Sequence, residues 1–124
     1  MFEENGDGAG RERRAARNEA LFREVNEQIE RLGKEAGFGS DGRLDFTCEC
    51  LVDTCTTTIS LTVDEYEDVR RYATHFFLLP GHETIDVERV VDRNHRYVVV
   101  EKFGEAGAVA IKLDPRTRRA QLNP

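Results

Sequence analysis

The chain has 124 residues, a length that suffices for one domain with tails. Its formal net charge is -6. Hydrophobic residues make up 39% and charged residues 34%, so the predicted core is modest, and small domains often depend on a metal or disulfides. An acidic surface is repelled by phosphate and by anionic lipid headgroups, which argues against binding of nucleic acid or membranes by the whole surface.

The first segment, residues 1–10, is rich in glycine and acids, and we expect a disordered tail there. Residues 11–37 are predicted to form an amphipathic helix, because strong helix formers carry apolar residues at steps of three and four. The apolar stripe consists of Phe22, Val25, Ile29 and Leu32, with Ala36 one turn further on. It covers only about two heptads, so we expect it to pack on its own domain or on a single partner helix.

Residues 38–113 are predicted to form a small α+β domain with an antiparallel sheet and one short helix. Leu44, Phe46 and Cys48 alternate with polar residues, which indicates a strand. The segment 56–61 is rich in β-branched residues and is the predicted partner strand. A zinc ion is expected to staple this sheet to the turn described below.

The short helix is predicted to begin at Thr62, because Thr62 and Glu65 have the spacing of a capping box. Residues 114–124 are expected to form a loose basic tail. Three further strands are predicted, at residues 76–79, 87–92 and 97–102. No apolar run reaches the roughly 18 residues of a membrane span and no leader peptide is recognisable, so we expect a cytoplasmic protein.

The three cysteines, Cys48, Cys50 and Cys55, all lie within eight residues. Zinc sites use cysteines spaced a few residues apart around a turn, and clustered cytosolic cysteines bind metal more often than they form disulfides. We therefore predict a zinc site. Two other interpretations remain open: the cysteines are unliganded buried thiols, or Cys48 and Cys50 are a redox pair.

Three histidines are candidates for the fourth ligand. His82 follows the turn Pro80-Gly81, which can hold a side chain in a fixed place, and we predict this residue. His75 lies near the end of the short helix, where a cationic side chain stabilises the helix dipole. His95 lies in a predicted hairpin turn, where a polar residue is ordinary.

The predicted site is structural rather than catalytic, so we expect no enzyme and no catalytic residues. Three thiolates make zinc a weaker Lewis acid, and a catalytic zinc keeps an open position for water. Glu83 and Glu49 are the carboxylates nearest to the predicted ligands in the sequence, but neither stands in a known hydrolase or deaminase motif.

The runs FTCECLVDTC, LTVDEYEDVR, FFLLPGHE and VERVVDRNHRYVVVEK, within residues 18–103, resemble a group of small actinobacterial proteins with no established activity. That group has a Cys-Glu-Cys…Cys knuckle and a Pro-Gly-His-Glu turn. The resemblance implies that its shared histidine corresponds to His82. This chain departs from the group at Leu51, where the others tend to have glycine.

Taken together, these features predict a non-enzymatic protein-interaction or regulatory module with a Cys3His zinc site, either monomer or homodimer. Its protein partner is expected on the stripe Phe22, Val25, Ile29 and Leu32. One alternative is a protein that binds nucleic acid or the transcription machinery through the basic segments Arg11–Arg17 and Arg116–Arg119. Others are a zinc hydrolase that uses Glu83 and a redox sensor.

Overall fold

The computed structural model describes residues 2–52 and 54–122, and side chains at 16–52, 54–117 and 119; residues 1, 53, 123 and 124 lie outside it. The α+β fold is confirmed. The elements in chain order are α1 (Phe2–Glu35), β1 (Arg43–Thr47), β2 (Thr58–Thr62), α2 (Val63–Arg70), β3 (His75–Leu78), β4 (Glu88–Arg93), β5 (Val98–Lys102), α3 (Gly104–Leu113) and α4 (Pro115–Leu122). None of the described helices combines the length and the apolar composition that a membrane span requires.

The strands form two small antiparallel sheets. β1 pairs with β2, with Phe46 opposite Ile59, and β5 lies between β3 and β4. The register of β4 on β5 shifts between Val90 and Asp92, which is a bulge, and the two strands remain paired on both sides of it. The predicted strands are therefore present, within a residue or two of their predicted ends.

Aromatic residues fill the core between the sheets and α2. The rings of Phe46 and Tyr66 stack with centroids 4.4 Å apart, and Phe77 meets them edge-on at 6.1 Å and 6.0 Å. Stacked and edge-on pairs each contribute about 0.5–1.5 kcal/mol beyond the burial of apolar area. The buried aliphatic residues around them include Ile59, Leu61, Leu78, Val98 and Val100.

The capping box that was predicted for α2 is present. The Glu65 N–H donates to Thr62 Oγ1 at 3.0 Å, and the Thr62 N–H donates to Glu65 Oε1 at 2.8 Å. Two backbone donors at the helix start are thereby satisfied. This fixes the point at which the chain leaves β2 and enters α2.

Of the two expectations for the apolar stripe, its own domain or a single partner helix, the faces of α1 do not fit the first. Leu21, Val25 and Leu32 are 60%, 42% and 59% exposed, while Phe22 and Ile29 are only half-buried. The residues of α1 that are buried against the domain are polar: Glu19, Arg23, Asn26, Glu27 and Glu30. The physical reason is that the domain presents an oppositely charged partner to each of the four charged residues and hydrogen-bond partners to Asn26, so their burial is compensated.

Glu27 shows how these ion pairs are built. Tyr66 donates its hydroxyl to Glu27 Oε2 at 2.6 Å, and Arg70 Nε lies 3.2 Å from the same oxygen. Arg70 in turn makes two hydrogen bonds to Asp114, at 2.7 and 3.0 Å. α1, α2 and the start of α4 are thereby joined by buried charges.

A second buried ion cluster joins α1 to the central strand β5. Lys102 Nζ lies 2.8 Å from Glu19 Oε2 and is also paired with Glu88. Burial raises the pKa of Glu19 to about 7, although the Lys102 charge acts in the opposite direction. Two carboxylates on one lysine are easier to bury when one of them holds a proton.

Both ends of the chain are more helical than predicted. α1 begins at Phe2, whereas residues 1–10 were expected to be disordered and the helix to begin at residue 11. Adding a residue to a formed helix gains one hydrogen bond for each residue fixed, and acidic residues near the start favour the positive end of the dipole. α1 ends at Glu35, close to the predicted end.

The expectation of a single short helix was wrong, because α3 and α4 follow β5. Glycines weakened the helix signal of α3, yet a Cβ at Gly107 would lie 2.9 Å from the Lys102 carbonyl oxygen, so close packing requires glycine there. α4 replaces the expected loose tail. Asp114 accepts a hydrogen bond from the Arg116 N–H at 2.7 Å, which caps α4, and Pro115 is its first residue.

Candidate metal centre

The segment after β1 crosses from one sheet to the other. The Cys48 N–H donates to the Thr57 carbonyl at 3.0 Å, beside β2, and the next N–H, of Glu49, donates to the Phe77 carbonyl of β3 at 3.0 Å. Extended backbone sends alternate side chains to opposite sides. Cys48 and Cys50 therefore share one side of the segment, and Glu49 lies on the other.

Cys55 is brought back to the same side by a tight turn. Its N–H donates to the Val52 carbonyl at 3.0 Å, as in a β-turn. Cys50 Sγ lies 3.9 Å from the Val52 carbonyl oxygen, at the start of this turn. We call residues 48–55 the knuckle.

His82 is held by a turn after β3. Its N–H donates to the Leu79 carbonyl at 3.0 Å, with Pro80 second and Gly81, at φ +94°, third in the turn. That order and the positive φ are typical of a type II turn, which requires glycine at the third position. The Leu79 N–H donates to Cys48 Sγ at 3.4 Å, so the turn is fastened to the knuckle.

These two turns bring together the four predicted residues, Cys48, Cys50, Cys55 and His82. Their ligand atoms all lie within 4.8 Å of one another. His82 Nδ1 is 3.7 Å from Cys48 Sγ and 3.9 Å from Cys55 Sγ. Tetrahedral bonds of ordinary length would place sulfur and nitrogen about 3.6 Å apart, so an ion fits among these atoms with small side-chain shifts.

The environment of the two buried thiols, Cys48 and Cys50, favours their neutral form until a cation is present. Burial raises the pKa of Cys48, and the neighbouring thiols Cys50 and Cys55 raise it further. Burial also raises the pKa of Cys50. At Cys55 burial acts in the same direction, but hydrogen bonds, first that from the Thr57 backbone, outweigh it and lower the pKa. Metal binding would therefore release protons from the buried thiols.

The other two histidines lie outside this group. His75 Nε2 is 3.6 Å from Glu101 Oε2, and its ring lies 4.6 Å from the Tyr72 ring. His95 is exposed in the turn between β4 and β5. Neither belongs to the four-residue group, which agrees with the choice of His82 from the sequence.

The two carboxylates near the ligands in sequence have other partners. Glu83 Oε1 accepts a hydrogen bond from the Gly81 N–H at 2.5 Å. Glu49 is completely buried and forms an ion pair with Arg23, with Oε1 2.8 Å from Nη2. Glu83 therefore supports the backbone of the turn before His82, and Glu49 supports α1 beside the site.

Glu49 connects the knuckle to α1, and sequence reasoning missed this role. Its Oε2 accepts hydrogen bonds from Asn26 Nδ2 at 3.0 Å and from Arg23 Nε at 3.4 Å. Asn26 also exchanges two hydrogen bonds with the Thr47 backbone, at 2.8 and 2.9 Å. A signal was present in the helical spacing of the polar residues Glu19, Arg23, Asn26, Glu27 and Glu30.

A comparison with known proteins gives no match to any protein family, any curated protein or any solved structure. The resemblance to small actinobacterial proteins therefore stays a prediction. The geometry of the Cys3His group and the packing of α1 are the features that bear on function.

Proposed function

We propose that this chain is a non-enzymatic interaction or regulatory module, and that a structural zinc ion on Cys48, Cys50, Cys55 and His82 holds its scaffold together. The observation that carries the proposal is the donor set: three thiols and one imidazole nitrogen lie within 4.8 Å of one another. Thiolate and imidazole ligands suit Zn²⁺, and four protein ligands leave no position for water.

The role of the ion would be to close a long loop. It joins the knuckle, which contains Glu49, to the turn at His82, which follows α2 and β3 along the chain. Because Glu49 also anchors Arg23 and Asn26, the same ion supports the docking of α1. The helix is then presented with Leu21, Val25 and Leu32 exposed, which is the kind of surface that binds another helix.

Two observations weigh against the rival functions. A zinc hydrolase needs a base beside an open position, but the Glu83 carboxylate accepts a hydrogen bond from Gly81. Binding of nucleic acid through the C-terminal arginines would compete with ion pairs, because Arg116 and Arg119 both donate to Glu27, at 2.8 and 2.6 Å. A redox-sensing role for the same thiols in the cytoplasm is compatible with the proposal.

Cobalt substitution tests whether the site is closed. Co²⁺ in the wild-type protein is expected to give the intense visible bands of a tetrahedral ion and a thiolate charge-transfer band, unchanged by added azide. The variant His82→Ala opens one position and is expected to make the spectrum respond to azide. A wild-type spectrum that azide alters would contradict the closed site and favour a catalytic metal.

A further inference from the structure

Five charged side chains are buried between α1, the knuckle and the three-stranded sheet. Each of them is at most 3% exposed. The guanidinium carbon of Arg23 lies 3.7 Å from the centre of the Phe76 ring, and Lys102 Nζ lies 5.3 Å from the same point. Their ion pairs therefore form one cluster around this ring. We call it the Phe76 cluster, and its charged members are Glu19, Arg23, Glu49, Glu88 and Lys102.

The charges of the Phe76 cluster do not balance. It contains three carboxyl groups and two cations, so full ionisation would leave one net negative charge in a place that is closed to water. An uncompensated buried charge is costly, and a buried carboxyl group avoids the cost by keeping its proton. We therefore expect one of the three carboxyl groups to be protonated in the folded chain.

Hydrogen bonds indicate which carboxyl group keeps the proton. Both oxygens of Glu49 accept hydrogen bonds from α1. Both oxygens of Glu88 accept one as well, Oε1 from Lys102 and Oε2 from the Thr84 N–H. Glu19 Oε2 lies 2.8 Å from Lys102 Nζ, yet within the described part of the chain it is buried without a hydrogen bond. Hydrogen bonds to the charged form favour ionisation, so Glu19 is the group that stays protonated.

The charged groups that face Glu19 lie on three elements. Burial raises the pKa of Glu19 to about 7. Lys102 on β5 and Arg23 on α1 act in the opposite direction, and Glu88 on β4 acts with burial. The two titratable residues of α3, which also packs against α1, are both exposed: Glu105 and Lys112. The electrostatic surroundings of Glu19 therefore agree with the count of charges in the Phe76 cluster.

We propose that α1 docks on the sheet with a proton on Glu19, so that docking takes up a proton and weakens as the pH rises through neutrality. In the unfolded chain the pKa of a glutamate carboxyl is about 4.3. Because the folded value is higher, the contribution of protonated Glu19 is fully present below about 4.3 and is lost as the pH rises through 7.

The proton on Glu19 does not depend on the metal, since the Phe76 cluster contains none of the four predicted ligands. Its regulatory meaning rests on the proposed function, because a loosened α1 would no longer present its exposed residues in a fixed position. Proton binding would thus control the surface that is offered to a partner.

Carbon-13 NMR of the side-chain carboxyl groups tests the proton directly in the full-length, zinc-loaded chain. The Glu19 carboxyl resonance, assigned through its own side-chain carbons, is expected to titrate with a pKa of about 7. A Glu19 resonance that titrates near about 4.3, as in a solvated glutamate, would overturn the inference. This measurement needs no variant and therefore does not depend on a variant that folds.

The variant Glu19→Gln tests the coupling, because glutamine resembles the protonated carboxyl group and carries no charge. Urea unfolding of wild type and variant is compared at about pH 6 and about pH 8.5. We expect the variant to be the more stable protein at the higher pH. The unfolding constant of the wild type, divided by that of the variant, is expected to rise several-fold between the two pH values. Contributions of Glu27 and Glu30, which titrate in both proteins, cancel in this ratio.

The matched control is Glu88→Gln, which removes the carboxylate that remains ionised. It is expected to lose stability at both pH values. A Glu19→Gln variant that is less stable than the wild type by the same factor at both pH values would show an ionised Glu19 and overturn the inference. The zinc content of the same samples tests the proposed function separately. A chain without zinc would contradict the staple, whereas the titration of Glu19 would still decide the inference.

Discussion

Around Phe77 the two sheets and α2 meet through aromatic rings, whereas α1 meets the same domain through buried ions. Phe77 and its neighbours Phe46 and Tyr66 are fully buried, and their contacts are apolar apart from the tyrosine hydroxyl. Arg23 and Glu49 are buried just as completely, at 1% and 0% side-chain exposure, and are held by charge. The two regions are adjacent, but one is stabilised by apolar packing and the other by buried ion pairs.

The difference concerns what each interface tolerates. Burial of apolar area is non-directional, so the aromatic core depends on volume and shape. A buried ion pair depends on both partners, because removing one leaves an uncompensated charge in a poorly solvated place. α1 is therefore held in one position and rotation, which leaves Leu21, Val25 and Leu32 exposed.

The variant Glu49→Ala is expected to give one of the two largest losses of stability. It leaves Arg23 buried without its carboxylate, and breaking a buried pair in this way costs about 3–5 kcal/mol. Urea unfolding of the zinc-loaded protein measures the change in the free energy of unfolding. A change below about 1 kcal/mol, small on the scale of a marginal domain stability, would show that the ion pair does not hold α1.

The double variant Arg23→Met/Glu49→Met is the matched control, because replacing both partners by apolar residues is often neutral. We expect it to recover most of the stability that Glu49→Ala loses.

The variant Phe77→Ala is expected to cost about 3–5 kcal/mol, since it removes a buried ring from the middle of the aromatic cluster. Unlike the loss in Glu49→Ala, no single second substitution should restore it, because the loss comes from a cavity. Comparing the unfolding of Phe77→Ala with that of Phe77→Leu, which leaves a smaller cavity, checks this origin. Equal losses in the two variants would be inconsistent with a cavity.

Glu27 gives the α1 interface a dependence on pH that the aromatic core lacks. Burial acts to raise the pKa of Glu27, but hydrogen bonds from Arg116 and Tyr66 outweigh it and lower the pKa to about 2. In the unfolded chain the pKa of a glutamate carboxyl is about 4.3. The stabilisation of the fold by ionised Glu27 is therefore present above that pH and is lost as the pH falls toward 2. We expect the stability difference between wild type and Glu27→Gln, about 1.5–3 kcal/mol at pH 6, to shrink in that window. Parallel pH curves for the two proteins would contradict this.

The smallest expected effect lies outside both interfaces, at the start of α2. Thr62→Ala removes one half of the capping box and is expected to cost about 0.5–2 kcal/mol. Asp68→Ala breaks the exposed pair with Arg71 and serves as the control, with an expected change within about 0.5 kcal/mol. Thermal unfolding ranks the two variants, and a reversed order would contradict the importance of the cap.

The sequence predicted the local features well, because their signals are local. The alternation of Leu44 and Phe46, the capping box at Thr62 and the Pro-Gly turn before His82 all depend on neighbouring residues. The orientation of α1 depends on residues that are distant in the sequence. Arg23 is paired with Glu49, and Glu27 is paired with Arg70. The apolar stripe alone therefore did not indicate that the polar residues of α1 face the domain.

The grouping of Cys48, Cys50, Cys55 and His82 was predictable for a similar reason. Three cysteines within eight residues are a short-range signal, and His82 stood out by its turn. The role of Glu49 was indicated only indirectly, by the helical spacing of the polar residues of α1, because its partners lie on a helix whose docking had first to be known.

The central claim, a closed zinc staple, is tested most directly by native mass spectrometry of the reduced protein beside Cys50→Ser, His82→Ala and His75→Ala. We expect one tightly held zinc ion per chain in the wild type, its loss or weakening in Cys50→Ser and His82→Ala, and its full retention in His75→Ala. A wild type without metal, or one in which His75→Ala loses the ion and His82→Ala keeps it, would contradict the staple.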